Sequence, residues 1–206
     1  MWDQRYSEEG FAYGMAPNDF LKSEYCRIPK GGRVLCLAEG EGRNAVFLAM
    51  QGYAVTAVDQ SAVGLQKAEN LAIEHGVKIS TEVANLADYD LGGDVWDGIV
   101  SIFVHVPPLL RKVLHGRVVK SLKNNGVFVL EAYTEHHLEM DGVGGPPPSQ
   151  KDLFVSLNKL AVELDGLNLI IGAEVERDIS EGKYHQGVSA VVQVVARKEV
   201  EGELVS

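Results

Sequence analysis

The sequence predicts an α/β fold: a seven-stranded, mostly parallel sheet with helices on both faces and an antiparallel last strand. Between residues 33 and 133, strand-length apolar runs alternate with helical stretches, the pattern of successive βαβ units. Run 95–103 (Val-Trp-Asp-Gly-Ile-Val-Ser-Ile-Phe) is nearly continuous in apolar content, as in a strand covered on both faces. The last two apolar runs, 167–177 and 188–197, meet across Ser180-Glu181-Gly182, too short a connection for a crossover helix, so they pair as a hairpin.

The first 30 residues are mixed polar and aromatic (Trp2, Tyr6, Phe11, Tyr13), and Pro17-Asn18 turns the chain into a short helix over 18–27 capped by Asn18 or Asp19. Strand 33–38 leads through glycines into helix 44–50, stopped by Gly52. Strand 53–58 ends at Asp59, and Ser61 caps a helix to His75, with Gly76 beyond it. Strand 78–83 runs to Asn85. After strand 95–103, Pro107 and Pro108 open a helix to about Leu122, where proline costs no hydrogen bond. Asn124-Asn125-Gly126 turns into strand 127–133, the Gly/Pro-rich stretch 135–150 is a loop or lid, and a helix is expected at about 150–164. Residues 31–200 read as one domain, 1–30 as a segment covering its ligand, and 201–206 as a disordered tail.

Composition narrows the functional classes. A length of 206 residues suits a single core, and 46% hydrophobic with 23% charged residues is ordinary for a globular protein. A formal charge of −10 argues against nucleic acid or an anionic membrane as partner. Two cysteines make no disulfide framework, and Cys36 lies inside an apolar strand. No apolar run reaches spanning length and the N-terminus lacks a signal-peptide pattern, so a cytoplasmic protein working on a small molecule, as a monomer or weak homodimer, is expected.

The segment Val34-Leu35-Cys36-Leu37-Ala38-Glu39-Gly40-Glu41-Gly42-Arg43-Asn44 places a tight glycine turn between strand and helix, and Asp59 follows Gly40 at the spacing of an adenosine-cofactor fingerprint. A dinucleotide would set its diphosphate against this turn and the helix N-terminus. Glu39 and Glu41 sit in that turn, and each acid within roughly 6 Å of a diphosphate costs about 2–3 kcal/mol at an effective dielectric near 20. S-adenosylmethionine has no phosphate and carries two cationic groups, so it suits the turn better. Asp59 can accept both ribose hydroxyls, and Asn85 with Leu86 can meet the adenine edge and face.

These residues resemble the first motif of the class I, Rossmann-like S-adenosylmethionine-dependent methyltransferases. The opening Trp-Asp-x-Arg-Tyr, Tyr13-Gly14, Pro17-Asn18 and Gly42-Arg43-Asn44 resemble the tellurite-resistance and thiopurine methyltransferase branch. The resemblance implies that Ala38, Gly40 and Gly42 cradle the methionine part, that Ser101 lines that side, that Arg43 meets the cofactor carboxylate, and that Tyr13 covers the pocket. Three positions depart from the family. Cys36 stands where an acid is usual, Ala38-Glu39 where Gly-Cys is usual, and Asn85 where Asp is frequent.

Methyl transfer needs alignment more than acid–base chemistry, and alignment supplies about 7–11 kcal/mol. A thiolate or chalcogen oxyanion would need no base, whereas a hydroxyl or amine would need one. Candidates on the ligand-bearing rim are His105, Glu131, Tyr133 and His185. His136-His137 are adjacent and point apart, without a carboxylate at ligand spacing, so no metal is expected. The alternatives are an NAD-type oxidoreductase, for which no Tyr-x-x-x-Lys or acid pair is evident, and a non-catalytic cofactor sensor.

Overall fold

The computed structural model describes residues 2–199; the expected tail at 201–206 lies outside them. The elements are α1 (Trp2–Tyr6), α2 (Asp19–Glu24), β1 (Arg33–Leu37), α3 (Arg43–Met50), β2 (Ala54–Asp59), α4 (Ala62–Glu74), β3 (Ser80–Val83), β4 (Trp96–Ile102), α5 (Pro108–Ser121), β5 (Leu122–Tyr133), α6 (Leu157–Glu163), β6 (Asn168–Glu181) and β7 (His185–Arg197). All seven strands form one sheet in the order β3-β2-β1-β4-β5-β7-β6. The first five pair in parallel, and β7 runs antiparallel to both β5 and β6. The strand order reverses between β1 and β4, which opens a crevice at their carboxyl ends.

Alternation along each strand divides the core into two layers. In β1, Val34 and Cys36 join the layer packed by α2, α3 and α4, whereas Leu35 and Leu37 join the one packed by α5 and α6. The helix signals hold: the side chains of Asn18, Ser61 and Ser156 cap α2, α4 and α6 by accepting from Leu21, Gly64 and Lys159 N–H.

The structure differs from the sequence expectation in four places. The prelude holds a helix, α1. In place of one helix over 150–164 there is a 3-10 turn (Pro148–Leu153), an extended pair, and then α6. Phe154 and Val155 are both buried but in different clusters, and consecutive side chains can point to opposite sides only from extended backbone. Strand β5 starts at Leu122 because the chain passes from α5 straight into pairing with Trp96, and the shifted register around Asn125 (φ 65°) absorbs the extra residues. Strand β6 continues to Glu181, so the hairpin turn is 182–184.

Gly42 fixes how the cofactor-type turn meets the next helix. It is left-handed (φ 90°), and a Cβ there would collide with Ala68 of α4. Gly42→Ala is expected to cost about 2–4 kcal/mol, from left-handed strain plus overpacking. Urea unfolding at unchanged m measures it, and Ala68→Gly in the same chain should recover part; a cost below about 1 kcal/mol would show that the two backbones can separate.

Candidate active site

A cavity of about 560 Å³ opens at the carboxyl ends of β1, β2 and β4. Its floor is the turn after β1 and the tip of β2, its roof the N-terminal segment, and its far wall β7 with the loop at 142–147. The roof is stitched to the hairpin turn: Lys183 N–H donates to Ala12 O (2.8 Å), Lys183 Nζ to Glu9 O (2.9 Å), and Tyr184 Oη to Glu8 (2.9 Å). Arg5 donates to Tyr13 Oη (2.9 Å) and lies over the Tyr184 ring at 4.5 Å.

Ala38, Arg43, Asp59, Asn85, Leu86, Tyr13, His105 and His185 all stand in the cavity wall. Gly40, Gly42, Ser101 and Tyr133 do not. Tyr6 covers Gly40, Ala68 covers Gly42, Ser101 is buried in the sheet, and Tyr133 lies fully buried beneath Gly144 and Gly145. The motif glycines therefore shape the turn rather than line the cavity.

The two acids of the turn serve different purposes. Glu41 accepts from Ala12 N–H (2.7 Å) and pairs with Lys67 (2.9 Å), so its charge is balanced and it anchors the roof. This corrects the expectation that both acids act on the ligand. Glu39 curls onto the N-terminus of α3, where Asn44 and Ala45 N–H both donate to it at 2.8 Å. Burial, with Glu39 beside it, pushes the Cys36 thiol well above its ordinary pKa. Burial raises Glu39 to about 7 against these amide bonds. No sequence pattern marked this cap, because the glutamate precedes its helix by four residues.

Asp59 braces the same turn. One oxygen accepts from Gly40 N–H (3.0 Å), the other from Ser61 N–H (2.8 Å), and burial raises its pKa. Each oxygen keeps a lone pair for a ligand. Arg43 is neither exposed nor free: it contacts Glu181 at 2.6 Å, an ion pair without a well-aligned hydrogen bond, and Ala16 O at 3.4 Å.

Both cavity histidines are neutral. His105 donates Nδ1–H to Leu153 O (3.1 Å) and accepts at Nε2 from Tyr133 N–H (3.4 Å); burial lowers its pKa to about 4. Burial, with Arg43 nearby, lowers His185 to about 2. Its 4.0 Å approach to Glu181 is therefore not an ion pair. Glu131, the remaining rim candidate, is fully buried behind the wall and bound by Arg177, Gln193 and Asn18. His136 faces solvent between Glu139 and Glu176, whereas His137 faces Gly144, and no group of three metal-ligating side chains gathers among the described residues.

Residues 34–126 match the family model described as a methyltransferase domain. No curated protein sequence matches the chain. Among solved structures it is similar to the protein studied for conversion of a disulfide bond into a thioacetal group during echinomycin biosynthesis (TM-score 0.75, 16% identity, covering 98% of this chain and 89% of that one). It is also similar to TehB from Haemophilus influenzae (TM-score 0.71, 18% identity, 88% and 62%). A third is the Burkholderia thailandensis 1,6-didemethyltoxoflavin-N1-methyltransferase, solved with 1,6-didemethyltoxoflavin and S-adenosylhomocysteine (TM-score 0.64, 18% identity, 89% and 78%). At these identities the structural likenesses establish the fold.

Proposed function

We propose that this chain, which belongs to the class I (Rossmann-like) S-adenosylmethionine-dependent methyltransferases, methylates a small molecule whose accepting atom is already ionised or soft, such as a thiolate or chalcogen oxyanion. The residues fit the cofactor. Glu39 already takes the α3 amide groups that a dinucleotide's diphosphate would need, which disfavours NAD and leaves a carboxylate toward a cationic ligand. Asp59 would hold the ribose, Asn85 and Leu86 the adenine, the backbone at Ala38 the methionine part, and Arg43, while still paired with Glu181, its carboxylate through a remaining N–H. Bound S-adenosylmethionine supplies a methyl group on a sulfonium, so an acceptor lone pair forms the new bond to carbon while the carbon–sulfur pair leaves on sulfur.

The observation that carries the acceptor class is the absence of a competent base at the end of the cavity away from Asp59; the two carboxylates with raised pKa values, Glu39 and Asp59, stand at the other end, where they would face the cofactor. His105 and His185 are held far below neutrality, His105 with both nitrogens engaged, and burial pushes Tyr6 and Tyr13 upward. The protein's part is to align and exclude water. Labelled methyl transfer to a panel of thiols, tellurite, selenite, amines and small acids tests this. The pH dependence of kcat/KM should follow each acceptor's own ionisation; one enzyme-borne limb shared by all acceptors would defeat the proposal.

Asp59→Ala should weaken S-adenosylmethionine binding by about 1.5–3 kcal/mol, the range for hydrogen bonds to a charged group. Calorimetry measures it, with a parallel unfolding curve because the two braces of the turn are also lost. An unchanged dissociation constant would make Asp59 a brace alone.

A further inference from the structure

At the end of the cavity away from Asp59, four rings form a box. Phe103 stacks on Tyr133 (centroids 4.7 Å, 22°), and His185 stands edge-on to Phe103 (4.5 Å, 70°) and to Tyr133 (5.5 Å, 72°). Tyr13 lies 4.5 Å from His185 on the roof side. Within this box the fully buried Tyr133 and the largely buried His185 have polar atoms with no hydrogen-bond partner: Tyr133 Oη and His185 Nδ1, the latter 4.0 Å from Glu181 Oε2. A buried polar atom without a partner is uncommon in a native protein and calls for an explanation.

The segment 142–147 lies over that box. Val143 and Gln186 exchange backbone hydrogen bonds (2.6 and 2.9 Å), and His137 Nε2–H donates to Gly144 O (3.2 Å). A Cβ at Gly144 would strike the Tyr133 hydroxyl and approach His185, and one at Gly145 would meet the Tyr133 ring. Glycine at both positions lets bare backbone seal the unpartnered hydroxyl without bonding to it. Two hydrogen bonds of an isolated bridge hold Val143 there, so the seal is separable from the sheet.

We propose that this box is the acceptor subsite and that it selects a planar ring with a hydrogen-bonding edge, which lies against the cavity-lining rings of Phe103, Tyr13 and His185 and bonds Tyr133 Oη and His185 Nδ1 as the strap at 142–147 shifts aside. The inference rests on the methyl-transfer reading above, whose acceptor it narrows. Aromatic walls recognise a flat partner, whereas a pyramidal oxyanion such as tellurite would need several converging free donors; the Tyr13 hydroxyl is taken up by Arg5, which leaves one phenol and one imidazole without partners.

The test uses the full chain saturated with S-adenosylhomocysteine. Calorimetry follows a fragment set of five- and six-membered rings, with and without a ring N–H or carbonyl, beside tellurite and selenite. Rings with a polar edge should bind more tightly than apolar rings of the same size, and both more tightly than the oxyanions. Tyr133→Phe, which removes one oxygen, should weaken the polar-edged rings at least tenfold and leave both apolar rings and the S-adenosylhomocysteine dissociation constant unchanged. Oxyanion binding at least as tight as the best ring, no bound ring, or ring binding that Tyr133→Phe leaves intact would overturn the subsite. A chain that does not bind S-adenosylhomocysteine would instead overturn the cofactor reading beneath it, so the two failures are distinguishable.

Discussion

Glu131→Ala is expected to destabilise the protein by about 3–5 kcal/mol, the range for breaking a buried ion pair by removing one partner. Glu131 is fully buried on β5. One oxygen accepts from Arg177 Nε (2.9 Å) and Gln193 Nε2 (2.7 Å), the other from Asn18 Nδ2 (2.5 Å) and Arg177 Nη2 (2.8 Å). Glu181 takes Arg177 and Asn18 at 2.9 Å each and pairs with Arg43. Two acids and two arginines thus balance, and the pairing holds the Arg177 guanidinium above its ordinary pKa despite burial. Loss of Glu131 leaves Arg177 half-compensated in the interior. It also removes one of the two carboxylates that hold Asn18, the cap of α2, which ties the roof segment to the sheet. The loss should therefore appear twice: in the urea midpoint, and as a raised KM for the cofactor. Glu131→Gln, keeping an acceptor oxygen, should fall between wild type and alanine. A cost below 1 kcal/mol would mean that water reaches the network.

The same network shows where sequence reading stops. The β-strand and helix periods, the glycine turn and the acid at the tip of β2 are local signals, and these pointed to the fold and to residues that line one end of the cavity. Glu131 was readable only as one polar residue alternating with Tyr133 on a rim strand. Its partners lie on α2, β6 and β7, from 46 to 113 residues away in the chain. Arg43, one residue after a glycine, was readable only through the family resemblance, as a contact to the cofactor carboxylate. Its burial depends on Glu181, in a stretch that looked like a hairpin turn. The split of the expected helix near 150 has the same origin: the propensities allow helix, and tertiary burial of Phe154 and Val155 on opposite sides overrides them.

Glu39 gives the pH-dependent prediction. Its ordinary pKa is 4.5, and burial in the folded chain raises it to about 7. Between those values the folded state holds a proton that the unfolded state has lost, so this group lowers stability as pH rises from about 4.5 to 7, and the cost stays constant above. Binding of a cation runs the other way. The ionised carboxylate is the form that attracts S-adenosylmethionine, so the complex lowers the pKa and releases a proton when it forms near or below pH 7. Affinity should rise by up to about tenfold per pH unit below 7 and level off above it. Calorimetry in buffers of different ionisation enthalpy should detect a released proton at pH 6.5 and little at pH 8.5. Glu39→Gln keeps an oxygen for the Asn44 and Ala45 amides and removes the titration. The turn should therefore persist while binding becomes weaker and loses this pH dependence. If the variant instead binds S-adenosylmethionine as tightly as wild type at pH 8, the carboxylate serves only to cap α3, and selection of a cationic over an anionic cofactor must come from Asp59 or from the occupied amides alone.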